Sequence, residues 1–325
     1  MKRTLHISTD CWGRLLCALD FIENRLDQPL SLAAIAAHCH ISPFHFHRLF
    51  HSAVNETLGQ YVRRLRLEWA AQTLLYTDDS VETIALAVGY ESAAVFQRAF
   101  KHQFGLAPAT FRARVRNALE AQISRVDGAT RAEGLIAPTH YRSLPAQRFA
   151  YVRCIGPYRT TAAQAWSALR SQPQLASLFG NATDWIGIAH DNPHVTDESR
   201  LRYDACLPVP DNIVADGDLG IRYQQAGYYA VFTPHAAGED VWQTYAAIYG
   251  SWLLRNGRRR ADAPAMALYS SEVNRPRFEI CIPLIDGPGA VTNRVVSPKD
   301  AQGRIGATAR VHSDSRHRPR LSLRE

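Results

Sequence analysis

A pattern that occurs twice near the start of the chain constrains its fold more than any other feature. The segment Phe46–Phe50 recurs 50 residues later as Phe96–Phe100. An alanine-rich apolar segment of helical period precedes each copy, at residues 31–37 and 80–88. Each unit is therefore predicted to form a helix, a tight turn and a second helix. Two such units in tandem are suited to two successive stretches of DNA major groove.

The second helix of each unit has a predicted start and two distinct faces. Ser42 is an N-cap followed by Pro43 at the first helical position, Ser92 caps the matching helix, and Gly89 supplies the turn before it. The core-facing positions are Phe46, Leu49, Phe50 and Val54, and then Phe96, Ala99, Phe100 and Phe104. The outward stripes are Phe44, His47, Arg48 and His51, and then Ala94, Gln97, Arg98 and Lys101.

These outward stripes carry hydrogen-bond donors of the kind that contact bases and phosphates. For one helix alone, an ordinary solvated face would be the favoured interpretation. The repetition, with Arg48 and Arg98 in register, favours DNA contact instead.

A long helix is predicted between the two units. Residues 58–75 carry apolar side chains at helical spacing and contain no proline. As one helix the segment would span roughly 27 Å at ~1.5 Å per residue. A rigid spacer of this size could hold two recognition helices about one duplex turn, ~34 Å, apart. A monomer could then contact about 20 base pairs without a second copy.

The residues of the second unit also carry a specific resemblance. The matching motifs are Ile84-Ala85, Val88–Ser92, Phe96–Lys101 and Phe104–Arg112. With them, residues 25–115 resemble the DNA-binding domain of the AraC/XylS family of bacterial transcriptional regulators. The resemblance implies double-stranded DNA and RNA polymerase as partners. It implies base contacts by Phe44, His47 and Arg48, and by Ala93, Ala94, Gln97 and Arg98.

One departure from the family pattern bears on how the second helix binds DNA. Ala93 and Ala94 stand where some relatives carry polar base-reading side chains. The second helix is therefore expected to rely on thymine-methyl contacts and phosphate clamping more than on hydrogen bonds.

The charge distribution gives the DNA-binding prediction little support of its own. The chain has a net charge of +7, and +5 of it falls in residues 288–325. That tail is rich in basic residues, contains glycine and proline, and has almost no apolar periodicity. It is expected to be disordered and to add at most unspecific attraction to phosphates.

The cysteines and the apolar runs predict a cytoplasmic protein. The six cysteines include no C-x-x-C pair, as expected of small core residues in a reducing compartment. The first residues lack the apolar stretch of a signal peptide, and no apolar run reaches 18 residues. No membrane association is expected.

Five histidines between residues 38 and 51 raise the question of a metal site. His47 and His51 lie one helical turn apart, but no Cys or carboxylate is spaced to complete a tetrahedral set. Polar side chains along a DNA-facing surface are the favoured interpretation. The chain also has no Gly-rich phosphate loop, so neither a metal nor a cofactor is expected.

The remainder of the chain predicts an α+β domain. Residues 116–138 have the composition of a linker helix and loop, and strands follow, interrupted by helical stretches at about 160–179 and 239–255. The predicted strands are 149–155, 185–189, 203–208, 220–223, 229–232 and 278–283. The predicted organisation is an all-α domain with two helix-turn-helix units at 1–115, a linker at 116–138, an α+β domain at 139–287 and a disordered basic tail at 288–325.

A second internal repeat lies within this α+β domain. Residues 202–209 align without gaps onto residues 277–284. A strand, a helix bearing Trp or Tyr and another strand precede each copy. A β-α-β-β unit used twice is predicted to form a pseudo-twofold domain with a groove on its axis, and Pro208 and Pro283 are expected to end its last strands.

Residues 139–287 resemble the gyrase-inhibitor-like (GyrI-like) effector-binding domain of multidrug-sensing regulators. The resemblance is carried by Ile155–Tyr158, Arg202–Val209, Ala226–Phe232 and Phe278–Leu284. In that family a carboxylate on the last strand faces an aromatic-walled cavity, and Glu279 matches it. The implied effector is an amphipathic or cationic small molecule, held by charge and cation–π contact. Candidate walls are Tyr151, Trp166, Trp185, Tyr203, Tyr229, Trp242, Tyr245 and Tyr269.

Two alternatives stay open for this domain. Glu279 could pair with an arginine such as Arg277 or Arg202, and most of these aromatic residues could be core. The domain could also be a hydrolase for electrophilic or cyclopropanoid molecules, or a sequestering domain, since some relatives use a pocket Glu as acid and base. No residue spacing in the sequence requires catalysis, and a DNA-reading domain fused to a pocket makes binding alone sufficient.

Overall fold

The structure is a computed structural model. It describes residues 9–130, 137–179, 184–234, 244–245, 247–253, 260–261, 263–270 and 277–285. The predicted disordered tail at 288–325 lies outside these ranges. Within them the helices are α1 (Thr9–Glu23), α2 (Leu32–His38), α3 (Pro43–Val54), α4 (Leu58–Tyr76), α5 (Val81–Ala87), α6 (Ala93–Phe104), α7 (Pro108–Thr130), α8 (Tyr158–Arg170) and α9 (Ala176–Phe179).

The two predicted helix-turn-helix units are confirmed as α2–α3 and α5–α6. Ser42 and Ser92 cap their second helices by accepting hydrogen bonds from the backbone N–H groups of His45 and Val95. The predicted spacer is α4, which begins with a capping box between Thr57 and Gln60.

The turn of the second unit requires glycine for two reasons. Gly89 has a φ of +81°, in the left-handed region. A Cβ atom at this position would also lie 2.9 Å from the Arg66 guanidinium and 3.0 Å from the Leu26 carbonyl oxygen. Arg66 donates from α4 to the carbonyls of Leu26 and Gly89, so it ties the segment before the first unit to the turn of the second.

The matching turn of the first unit is built without glycine. His40 takes the left-handed conformation there, with a φ of 55°. A non-glycine residue pays a steric cost in this region, because its Cβ approaches the following carbonyl oxygen.

His40→Gly is therefore expected to raise the free energy of unfolding by about 0.5–1 kcal/mol, since glycine adopts this φ without strain. Urea unfolding followed by circular dichroism measures the change. The matched control is His102→Gly in the last turn of α6, where a helical φ makes glycine unfavourable by about 1 kcal/mol. An equal loss of stability in both variants would contradict the strain at His40.

The described residues of the α+β half form an eight-stranded antiparallel sheet. Its strands are β1 (His140–Leu144), β2 (Gln147–Ile155), β3 (Asp184–Ala189), β4 (Arg202–Pro208), β5 (Gly220–Gln224), β6 (Gly227–Phe232), β7 (Ala265–Ser270) and β8 (Arg277–Leu284). Their order in the sheet is β1-β6-β8-β7-β3-β4-β2-β5. The strand β1 and the helix α1 are not among the elements predicted from the sequence, and β7 is the strand that the repeat places before residues 277–284.

The strand order confirms the predicted duplication. The half β3-β4-β2-β5 mirrors the half β7-β8-β6-β1 across a pseudo-twofold axis between β3 and β7. Phe149 on β2 faces Pro208 and Arg222, and Tyr229 on β6 faces Pro283 and Arg142. Arg142 and Arg222 are therefore counterparts, as are Asp204 and Glu279.

The two faces of the sheet pack against different helices. One face, which carries Tyr151, Asp204, Tyr229 and Glu279 and which we call the inner face, joins the core of helices α1 to α4 in one continuous apolar cluster. The outer face packs against α8 in one half and against the helical turn Ile248–Trp252 in the other. The inner face is thus in contact with the helical half of the chain.

Candidate nucleic-acid interface and ligand-binding face

The outward stripes of α3 and α6 are exposed, as the sequence predicts. Exposed positions are Phe44, His47, Arg48, His51, Ala94, Gln97, Arg98 and Lys101, and Ala93 is half-buried. The opposite stripes are held in the core by Phe46, Leu49 and Phe50 in α3 and by Phe96 and Phe100 in α6. Val54, Ala99 and Phe104 are half-buried against these cores. Each helix is therefore fixed by its buried side, and its outward stripe faces solvent.

Phe44 and Arg48 form the most distinctive pair on this surface. The Phe44 side chain is 73% exposed, although it is large and apolar. The Arg48 guanidinium lies 5.8 Å from the centroid of the Phe44 ring, within the range of a cation–π contact. An exposed ring beside a cation can contact a thymine methyl group while the cation contacts a base edge or a phosphate.

On the inner face of the sheet, Glu279 has an arginine partner. An Arg142 Nη atom lies 3.4 Å from Glu279 Oε2, and the Glu279 side chain is 12% exposed against 36% for Arg142. The Nε atom of Arg142 is buried and has no hydrogen-bond partner among the described residues. The open alternative of an arginine partner is thus observed, and the partner is Arg142 of β1.

The counterpart of Glu279 is fully buried in an ion network. Asp204 Oδ1 lies 2.7 Å from Arg153 Nε, and its Oδ2 lies 3.0 Å from Arg222 Nη1 and 2.6 Å from His190 Nε2. Burial alone would raise the pKa of Asp204, but Arg153 and His190 outweigh it and hold this pKa well below its usual value. Asp204 is therefore a charged, internally neutralised group.

Helix α1 completes this network from the helical half of the chain. The Tyr151 hydroxyl donates to Asp20 Oδ2 at 2.7 Å, and Glu23 Oε1 accepts from Arg153 at 2.8 Å and from Arg202 at 2.6 Å. Burial would raise the pKa of Glu23, but Arg153 and Arg202 lower it overall. Two carboxylates of α1 thus compensate arginines of the sheet, and they occupy the half of the inner face around Asp204.

The predicted effector residues do not share one face of the sheet. Tyr151 and Tyr229 lie on the inner face with Glu279. Five of the other candidate aromatic residues lie on the outer side of the sheet, away from Glu279: Trp166, Trp185, Tyr203, Tyr245 and Tyr269. Trp242 lies outside the described residues.

Strand alternation is the reason for this division. Tyr203 adjoins the inner residue Asp204, so it must point the other way. On the outer face the Trp166 Nε1 atom donates to the Tyr203 hydroxyl at 3.2 Å. The rings of Trp185 and Tyr269 each lie 5.6 Å from that of Trp166. These four residues form an aromatic cluster beside the pseudo-twofold axis.

The polar residues at the inner face that were not singled out from the sequence include Asp20 and Glu23 of α1, His190, and Arg142, Arg153 and Arg222 of the sheet. For α1 the available signal was the helical spacing of Leu15, Leu19 and Ile22. For Arg142 it was a further gapless repeat, since residues 141–152 align onto 221–232 and place Arg142 on Arg222.

Neither a metal-binding group of side chains nor a membrane-spanning helix occurs among the described residues. No three His, Cys, Asp or Glu side chains there are grouped so as to hold a metal ion. No helix within the same ranges has the length and apolar character needed to cross a lipid bilayer.

Comparison with known proteins assigns both halves to described families of domains. A model described as a helix-turn-helix domain matches residues 35–114, and one described as a GyrI-like small molecule binding domain matches residues 138–285. Regulatory protein SoxS of Salmonella typhimurium is 33% identical over 97 residues, which are 30% of this chain and 91% of SoxS.

Two other similar proteins cover the same helical part. The right origin-binding protein of Escherichia coli K12 is 39% identical over 94 residues, which are 29% of this chain and 32% of that protein. A crystal structure of an AraC-type regulator from Chromobacterium violaceum is 31% identical, with a TM-score of 0.30 over 31% of this chain and 90% of its own.

Proposed function

Because the chain belongs to the AraC/XylS family of DNA-binding transcriptional regulators and carries a GyrI-like small-molecule binding domain, we propose that it alters transcription when an amphipathic cation binds the sheet. On DNA it acts as a monomer, because the two exposed stripes lie on one chain and match an asymmetric site of about 20 base pairs. The DNA-binding stripes comprise Phe44, His47, Arg48, His51, Ala93, Ala94, Gln97, Arg98 and Lys101. Contact with RNA polymerase and a cytoplasmic location belong to the same proposal, since a bacterial regulator works where the DNA is transcribed.

The observation that supports a cationic effector is the state of Glu279. This carboxylate is largely buried, and its arginine partner is more than a third exposed at a distance of 3.4 Å. An amphipathic cation would replace Arg142 as the partner of Glu279 and place its apolar part against Tyr229 and Leu268. Binding without catalysis is sufficient for this role.

The same face suggests how occupancy would reach the DNA-binding half. Tyr229 and Leu268 belong to the apolar cluster that also contains buried residues of α1 to α4. A ligand that inserts beside them must change the packing between the sheet and the first helix-turn-helix unit. A ligand shifts this arrangement only by its difference in affinity for the two packings, so effector and DNA affinities are expected to be coupled.

Glu279→Gln is expected to weaken the binding of a lipophilic cation by tenfold or more, about 1.4 kcal/mol, because the charge attraction is lost. Binding of tetraphenylphosphonium to the full chain, measured by isothermal titration calorimetry, tests this. The comparison variant is Trp166→Ala, which removes an aromatic side chain from the outer face.

The outcomes show which face of the sheet binds the effector and whether the effector is a cation or an anion. A loss of affinity in Trp166→Ala alone would indicate that the effector binds the aromatic cluster of the outer face. An unchanged affinity in Glu279→Gln, or binding of anionic amphiphiles alone, would contradict the role of Glu279 and point to Arg142. Consumption of an electrophilic ligand that stops in Glu279→Gln would support the hydrolase alternative.

A further inference from the structure

A cavity lies between the two halves of the chain, away from Glu279. Its volume is about 190 Å³. One side is formed by the end of α1, the segment after it and α4, and the other side by His190, Asp191, Arg202, Arg222, Arg260, Ala263 and Pro264. An apolar cavity of about 150 Å³ is enough to admit benzene, so this volume suits a molecule of roughly eight non-hydrogen atoms. Leu65, Trp69 and Pro264 supply apolar wall.

Most charged groups of this cavity already have close partners of opposite sign. Glu23 and Asp191 both pair with Arg202, and Arg222 pairs with Asp204. Because these charges are already paired within the protein, they contribute little to the binding of a charged ligand.

Arg260 is the cation whose charge is not matched in this way. Its Nη2 atom donates to the Ala263 carbonyl at 2.7 Å, and its Nη1 lies 3.5 Å from Gln72 Oε1. Its Nε atom is buried without a hydrogen-bond partner, and no carboxylate among the described residues forms an ion pair with it. A guanidinium in this state is suited to bind a carboxylate.

Two other acidic residues line the cavity: Asp27 is exposed to solvent, and Glu68 is the buried one. Its carboxylate lies 3.3 Å from Arg64, but Arg64 makes a closer ion pair, at 2.7 Å, with Glu56. Burial raises the pKa of Glu68 to about 7, because Arg64 compensates its charge only in part. A positive hydrogen-bond donor in the cavity would supply the missing compensation.

We propose that this cavity binds a small zwitterion of the α-amino acid type, with its carboxylate on Arg260, its ammonium group on Glu68 and its side chain against Leu65 and Trp69. Glu68 and Trp69 belong to α4, which separates the two helix-turn-helix units, while Arg260 belongs to the α+β half. The zwitterion therefore binds only when the two halves are docked, and it stabilises that arrangement by mass action. This site and its ligand class are separate from the cation proposed for Glu279.

The test uses the full chain and the probes L-alanine, L-valine, L-leucine, L-glutamine and L-phenylalanine. At least one is expected to raise the melting temperature and to give saturable binding by calorimetry at or below about 10 mM, the weak end of specific affinity. For L-leucine, isopentylamine lacks the carboxylate and 4-methylpentanoate lacks the ammonium group, so both should bind at least tenfold more weakly.

Two variants and one control locate the site. Arg260→Gln and Glu68→Gln are each expected to weaken the best amino acid by tenfold or more, with circular dichroism showing that the fold is kept. Arg170→Gln removes a positive charge from the exposed end of α8 and should leave the affinity unchanged. Absence of binding for all five amino acids, or an unchanged affinity in Arg260→Gln, would overturn the proposal.

Discussion

Asp204→Asn is expected to lower the free energy of unfolding by about 3–5 kcal/mol, because it leaves buried arginines without their closest anion. Asp204 is fully buried, and Arg153, Arg222 and His190 all contact its carboxylate. Asparagine keeps the shape and can still accept a hydrogen bond, but it removes the charge that compensates these groups. Urea unfolding at neutral pH, followed by far-ultraviolet circular dichroism, measures the loss.

The matched control is Asp211→Asn at the protein surface. Asp211 is fully exposed and lies 4.0 Å from Arg148 Nε, so its substitution should change stability by less than about 0.5 kcal/mol. The pH dependence gives an independent check. Since the pKa of Asp204 is held below its usual value, its stabilising effect is complete at neutral pH and is lost as the pH falls below about 4. The gap between the wild type and Asp204→Asn should therefore narrow on acidification, and a constant gap would contradict the ion network.

The parts of the fold that could be predicted from sequence are those set by local chemistry. Ser42 and Ser92 act on their own helix N-termini, and Gly89 fixes its own turn, so neighbouring residues carry the whole signal. The repeat of 202–209 at 277–284 likewise predicted the duplicated unit. These features need no knowledge of distant contacts.

The arrangement of the candidate ligand sites depends on contacts that no local pattern encodes. Strand alternation alone puts Tyr203 on the face opposite Asp204, but sorting the aromatic residues of β3 and β7 between the two faces needs the sheet register. Asp20 and Glu23 meet Tyr151 and Arg153 across about 130 residues of sequence. Nothing near α1 in the chain indicates that its acidic side chains enter the opposite half. The cavity with Glu68 and Arg260 is likewise created by the docking of the two halves.

Loss of Arg48 and Arg98 is expected to give the largest effect on DNA binding. Arg48→Ala and Arg98→Ala should each weaken binding to the preferred operator by about 1–3 kcal/mol, and the double variant by about the sum, because the two side chains lie on separate helices. Both residues are exposed and fully outside the core, so the fold should be kept. The operator is first selected from random duplexes with the full chain, and affinities are then measured by fluorescence anisotropy at fixed salt.

A scrambled duplex separates the two ways in which an arginine can contribute. A side chain that reads a base loses affinity for the operator and little for the scrambled sequence, whereas a phosphate contact weakens both and lowers the salt dependence by about one unit of slope. For Arg48 we expect mainly base reading, since the exposed Phe44 ring lies beside its guanidinium. The side chains near Arg98 at the start of α6 are alanines, which cannot hydrogen-bond to bases. We therefore expect Arg98 to contact mainly phosphate, so that Arg98→Ala weakens binding to the scrambled duplex more than Arg48→Ala does. Arg170→Ala, on the outer side of the sheet, serves as the control and should leave both affinities unchanged. Operator binding that survives the double variant intact would contradict the assignment of these helix faces to DNA.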